Sequence, residues 1–252
     1  ISSEQELVSI FGKPTASNFE EYFTASSFLQ YSNALKVVRT ENTGIINAVT
    51  NGGSAVLVKN TDHYNSTYLA DGAYTGISGR EFVARTAGAY GNGLSVSVCP
   101  SATAYEQEAV TTVNDSAVSV GDTTITMTSG TNINVGDIIA FSTTAATNDY
   151  DDGIEYEVTA VSSNDITIKK RVGTGGLTRV IVDGANVRRR WSHYDSVSGA
   201  PGTSPDVLSA GGSDDELHIV VIDADGSISG TKGEVLEVYE KVSKAKDAKD
   251  SG

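Results

Sequence analysis

Between Val118 and Ile168 the apolar residues come in pairs two positions apart: Val118 with Val120, Ile125 with Met127, Ile133 with Val135, Ile139 with Phe141, Tyr156 with Val158, and Ile166 with Ile168. An extended chain points successive side chains to opposite faces, so each pair marks one apolar face of a short strand. Gly-Asp, Asn or Asp stands between the pairs, and these residues turn a chain readily. From about Val110 to Gly176 the chain is therefore expected to build a small all-β unit, barrel- or sandwich-like. Val120-Gly121-Asp122 and Val135-Gly136-Asp137 form a weak internal echo within it. An abundance of Gly, 26 against 4 Pro, agrees with a turn-rich β protein.

The flanks carry other periods. Ser3-Glu4-Gln5-Glu6 has the form of a capping box, Leu7, Ile10 and Phe11 follow at helical spacing, and Gly12 with Pro14 supplies a stop. A second helix is predicted over about 18–33, with Phe19, Tyr22, Phe23, Ser26 and Leu29 in one stripe that Phe28 and Tyr31 widen. Phe23, Phe28 and Leu29 are expected in the core, since Leu35-Lys36-Val37-Val38-Arg39 reads as a buried strand directly after them. A Gly-, Asn- and Ser-rich stretch follows from Glu41 to Gly79. Arg80 to Arg85 and Leu94 to Cys99 read as strands joined by the turn Tyr90-Gly91-Asn92-Gly93. Arg179 to Pro205 reads as irregular. Leu217 to Val221 is a strand, Asp223-Ala224-Asp225-Gly226 a hairpin turn into Ile228, and Gly233 to Lys249 an amphipathic helix with Val235, Val238, Tyr239, Val242 and Ala245 inward.

These elements predict an α+β chain: a discontinuous α/β domain from residues 1–105 and 205–252, with residues 106–204 inserted as a β-rich surface domain and its connecting loop. The 252 residues suffice for one or two domains. The chain starts at Ile1 rather than Met and ends in a polar run from Lys246 to Gly252, as expected of a piece of something longer. No apolar run approaches the roughly 20 residues needed to span a bilayer. With 18 Lys and Arg against 32 Asp and Glu, the net charge of -14 opposes binding to nucleic acid and anionic membranes.

Chemistry is sparse along the chain. Cys99 is the only cysteine, which excludes an intrachain disulfide and a thiolate metal cluster. Asp149, Asp151 and Gly153 lack the spacing of an EF-hand, because counting from Asp149 the Gly falls at position 5 and Ala160 at position 12. Asp223 to Gly226 fails in the same way. Gly173-Thr174-Gly175-Gly176 lacks the Gly-Lys-Ser/Thr of a phosphate loop. His63, His193 and His218 are scattered, and Ser192-His193 beside Asp195 says nothing of triad geometry. No catalytic, metal or cofactor residues are therefore assigned, and no cofactor is expected. Asn65 and Asn114 lie in Asn-x-Ser/Thr sequences, which matter only in a secreted eukaryotic protein. Arg188, Arg189, Arg190 and Trp191 form the one concentrated basic and aromatic cluster. It reads either as a solvated loop or as a subunit contact for an acidic protein surface. A structural or assembly protein fits this profile better than an enzyme. A β-rich module recognising a glycan or receptor through exposed Tyr150, Tyr156 or Trp191 is the alternative, and a hydrolase a third reading.

Several stretches resemble the tail sheath protein of contractile-tailed bacteriophages, of the myovirus type. They are Phe11-Gly12-Lys13-Pro14-Thr15; Phe28-Leu29-Gln30-Tyr31-Ser32-Asn33 running into Leu35-Lys36-Val37-Val38-Arg39; Ala84-Arg85 through Ala89-Tyr90-Gly91-Asn92-Gly93-Leu94; and Asp215-Glu216-Leu217-His218-Ile219-Val220-Val221 followed by Val235-Leu236-Glu237-Val238-Tyr239-Glu240. Together they cover 40 of the 252 residues. The resemblance implies a non-enzymatic subunit that polymerises around the tail tube and contracts to drive the tube into the host. Its implied partners are other sheath subunits, the tail tube, the baseplate and the tail terminator, and its implied place is the virion, after synthesis in the bacterial cytoplasm. Set against that family, the sequence lacks an N-terminal arm and a C-terminal domain, so the isolated chain is expected to be monomeric.

Overall fold

The computed structural model describes residues 1–38, 40, 44–50, 56–68, 82–150 and 153–245. Helix α1 (Glu4–Phe11) begins at Ser3, whose hydroxyl accepts from the Glu6 amide at 3.2 Å. It ends at Gly12, whose φ of 81° is a conformation that side chains strain to adopt. The acidic half of the capping box has slipped by one residue, so that Glu6 accepts from the amide and hydroxyl of Ser2. Helix α2 (Phe19–Leu29) leans on α1 through a narrow stripe, with Leu7, Tyr22 and Ser26 inside.

The wide aromatic face of α2 is not core. Phe23 is 55% exposed, Phe19 and Phe28 are also exposed, and Leu29 is half-buried. The expected strand after it does not form over the described residues Leu35 to Val38, where Leu35 exchanges hydrogen bonds with Ile1 and Val37 and Val38 are exposed. Without that strand, the main element that α2 packs against among the described residues is α1.

Strands β1 (Asn47–Val49) and β2 (Val83–Ala87) pair antiparallel over a small core of Val56 and Val58. The buried Asn47 ties this unit together, donating to Ala84 O at 2.7 Å while its Oδ1 accepts from the Val58 amide at 2.7 Å. Strand β2 begins later than the sequence suggests, and Arg80 and Glu81 lie outside the described residues, as do residues 41–43, 51–55 and 69–79 of the stretch to Gly79. Strand β3 (Leu94–Cys99) follows the turn at Tyr90 to Gly93 as expected.

Six strands come next: β4 (Glu106–Thr112), β5 (Thr124–Thr126), β6 (Ile138–Ala145), β7 (Tyr156–Ser162), β8 (Asp165–Lys170) and β9 (Ala185–Arg190). They form one antiparallel sheet in the order β4-β9-β6-β7-β8-β5. Its two ends meet. Val113 bridges Met127, Asn114 N–H donates to Thr126 O at 2.9 Å, and Thr128 N–H donates to Thr112 O at 2.8 Å. The sheet thus closes into a barrel and has no free edge along this seam. Ile125, Met127, Ile139, Phe141, Tyr156, Val158, Ile166 and Ile168 fill it, which accounts for four of the six apolar pairs in full.

The other two pairs are half inside, and the echo explains why. Val118 and Ile133 are buried, whereas Val120 and Val135 are 63% and 64% exposed. Each exposed Val precedes a Gly of positive φ in one recurring turn: the Ser119 amide donates to Asp122 Oδ2 at 2.7 Å, and the Asn134 amide to Asp137 Oδ2 at 2.8 Å. The carboxylate closes the turn and leaves the Val at its tip facing outward.

The expectation that Arg179 to Pro205 is irregular is corrected by β9, which lies between β4 and β6. The barrel accordingly extends past Gly176, and its first and last strands pair side by side, Glu106 opposite Arg190. The chain then returns to β3. Strand β10 (Glu216–Asp223) pairs with β3, and β11 (Glu234–Ser243) pairs with β10, giving the order β11-β10-β3.

Strand β11 replaces the predicted C-terminal helix. Two bulges opposite Leu217/Ile219 and Val221/Ile222 each insert a residue. Positions of one face that would alternate by two are thereby spaced by three, from Val235 to Val238 on one face and from Tyr239 to Val242 on the other, which imitates helical spacing, although Val238, Tyr239 and Val242 are exposed and not inward as expected. The return strand also starts at Glu234 rather than near Ile228, because Asp223 organises a longer loop. Lys246 to Gly252 lie outside the described residues.

Candidate functional site

The Arg188 to Trp191 cluster lies where the barrel meets the three-stranded sheet. Along β9, Ala185, Val187 and Arg189 are buried, whereas Asn186, Arg188 and Arg190 are only partly covered. This is strand alternation carried by arginines. Arg189 closes one end of the barrel, donating to the carbonyls of Ala104 at 3.0 Å and Thr103 at 2.6 Å in the single helical turn Ala102–Tyr105. Its Nη1 is 3.8 Å from the buried Asp137, whose carboxyl is pushed up by burial against the pull of its Asn134 bond and of Arg189. Arg189 Nε is buried without a partner.

Arg190 and Arg171 converge on Glu155. Arg190 reaches Glu155 at 2.8 Å and Glu106 at 3.1 Å, and Arg171 reaches Glu155 at 2.8 Å and Asp195 at 2.5 Å. The Tyr194 hydroxyl donates to Glu155 at 2.9 Å, and its ring is flanked by the guanidinium carbons of Arg171 and Arg190, each 4.9 Å from the centroid. Burial alone would raise the Glu155 carboxyl, but the bonds from Arg171 and Tyr194 outweigh it and hold the group below its ordinary range. Arg188 lies over the Tyr150 ring at 4.8 Å. Tyr150 donates to Glu108 O, and burial, aided by the Glu108 charge, pushes its hydroxyl up to about 12.

Trp191 crosses from barrel to sheet. Its indole donates to Ser97 Oγ at 2.9 Å, its amide donates to Tyr105 O at 2.8 Å, and it packs with Cys99, Val220 and Ile222. The cluster is therefore no solvated loop: Arg189 and Trp191 are buried and Arg190 is paired within the chain. Arg171, Glu155, Glu106 and Tyr194, which complete the network, were not singled out in the sequence. Only the Ala185, Val187, Arg189 alternation could have pointed to a strand there.

Other expected positions are placed as follows. Tyr156 and Trp191 are 2% and 5% exposed, which corrects their expected exposure as glycan-facing aromatics. Burial pushes the Cys99 thiol up, away from thiolate chemistry. Asp195 turns to Arg171. Asp223 is the turn residue expected: burial opposes its charge, but amides of Ser229, Ile228 and Gly226 at 2.6–3.0 Å overcome this and lower it to about 2. Asp151 lies outside the described residues. Among the described residues no group of three or more His, Cys, Asp or Glu could hold a metal ion, and no helix is long and apolar enough to cross a membrane. A cleft of about 540 Å³ opens between α1 and β2, lined by Ile10, Phe11, Ile45, Leu57, Val58 and Arg85 among others. The chain matches no protein-family model, no curated protein and no solved structure.

Proposed function

We propose that the chain is a non-catalytic structural subunit of a contractile phage tail sheath, acting in the virion with other sheath subunits, the tail tube, the baseplate and the tail terminator as partners. One observation carries the reading beyond the sequence resemblance. Two of the resembling stretches, far apart in the chain, meet at one sheet: the stretch that ends at Leu94 runs into β3, whose Val96 to Cys99 pair with His218 to Val221 of β10 in the other. The whole barrel is strung between them. A sheet assembled from distant stretches, with a self-contained barrel outboard, suits a core that assembles and a surface unit that decorates it. The arrangement of Arg188 to Trp191 suits a fixed joint between those parts. Immunogold labelling of contractile-tailed particles from cells producing the protein with its phage is expected to decorate tails along their length, extended and contracted. Label confined to baseplates, fibres or unassembled protein overturns the reading.

A further inference from the structure

His218 is fully buried at the middle strand of the β11-β10-β3 sheet, and its ring nitrogens face backbone groups of opposite kind. Nδ1 lies 3.0 Å from the Lys241 amide and Nε2 2.8 Å from the Gly199 carbonyl. An amide only donates and a carbonyl only accepts. The ring is therefore the neutral imidazole with its proton on Nε2. Lys241 belongs to the bulge of β11 between the pairs Leu217–Val242 and Ile219–Tyr239, with a φ of 53° that strains a non-glycine residue. The imidazole nitrogen there takes the place of a strand carbonyl.

We propose that His218 is a proton-operated catch on strand β11: a proton added at Nδ1 turns the acceptor into a donor, expels the Lys241 amide and opens the sheet edge from Glu240 to Val242. The strain stored at Lys241 favours the opening. Beyond it the strand stays tied, because Lys244 N–H donates to Asp215 O at 2.7 Å and Ser243 Oγ donates to the Asp215 carboxylate at 2.5 Å. Serine bonds, that from Ser243 first, hold that carboxylate below its ordinary range, so mild acid leaves it charged. The groups around the ring are Cys99 opposite on β3, Tyr105 and Trp191 with ring centroids each 6.4 Å away, and Glu240 and Lys241 on β11. Two charged side chains of β11 flank it, Glu240, which accepts from Ser198 Oγ at 2.6 Å, and Lys241. The open state exposes unpaired groups of β10, a template for another strand.

The test is amide exchange by NMR on the whole chain, corrected for the intrinsic rate, from about pH 7 to 5, where imidazoles charge. Protection of the Lys241 and Val242 amides is expected to fall up to tenfold per pH unit, the slope of one proton taken up on opening. Protection of Lys244 and of the barrel amide Val113, bonded to Ala185 O, should hold. His218→Asn supplies a carbonyl acceptor that does not titrate, and its Lys241 protection should be flat with pH. Should that variant fail to fold, nitrogen shifts of the wild-type ring decide the matter, and Nδ1 must gain its proton in step with the loss at Lys241. A ring that stays neutral to pH 5, Lys241 protection that survives a charged ring, or a loss shared equally by Val113 overturns the proposal.

Discussion

Phe141 and Phe23 are the same side chain in two regions that handle apolar surface in opposite ways. Phe141 is 1% exposed inside a sheet that closes on itself, whereas Phe23 is 55% exposed on a helix that leans on α1. Both lie on well-formed apolar stripes. In the barrel every strand's stripe faces the others, because the Val113–Met127 bridge joins the two ends of the sheet. In the helix pair, only the Tyr22–Ser26 line of α2 meets α1. Period in a sequence shows which face of an element is apolar, but it does not show whether the same chain supplies a cover.

The contrast can be broken most completely by cutting the barrel. Residues 110–176 omit β9, which lies between β4 and β6, so this fragment is expected to give a collapsed, poorly dispersed amide NMR spectrum. A fragment of residues 102–196, with β9 and the Tyr194 network, is expected to give a dispersed one. A folded 110–176 fragment would show that the closed seam is dispensable. The next largest effect is Phe141→Ala, expected to cost about 3–5 kcal/mol in denaturant unfolding followed by far-ultraviolet circular dichroism. That is a large part of the roughly 5–15 kcal/mol that typically holds a domain together. Gly130→Ala should cost about 1–3 kcal/mol in the same assay, since its new methyl would land on the Ser163 carbonyl, backbone that cannot swing aside. Phe23→Ala should shift the curve least, by under about 1 kcal/mol, as for an exposed site. A Phe23→Ala loss equal to that of Phe141→Ala would erase the distinction.

How much of this was legible varies with what sets the local period. The barrel core could be read because strand alternation acts on each residue independently, and Ile125, Met127, Ile139 and Phe141 fell inside as the pairs implied. Val120 and Val135 misled because a turn tip and a strand interior share the same spacing. Val235, Val238 and Val242 misled through the bulges, since the added residues answer to β10 and leave no mark in β11 itself. For Arg188 to Arg190 the obstacle was distance. Glu106, Glu155 and Arg171 are remote in sequence, and without them three adjacent charges look solvated. The glycan alternative failed at Tyr156 and Trp191 for a related reason, as an aromatic side chain reads alike whether it faces a ligand or a core.

The pairing of Glu106 with Arg190 bears on how such a chain can change over generations. Opposed residues of antiparallel neighbours have Cα atoms only about 4.5–5.5 Å apart, so the chain enters and leaves the barrel through one narrow doorway. Anything whose two termini sit that close together could be spliced in between Tyr105 and Trp191 while β3 and β10 keep their register. A unit exchanged for the barrel in this way would have to replace the bonds that Arg189 makes to Thr103 and Ala104 beside the doorway.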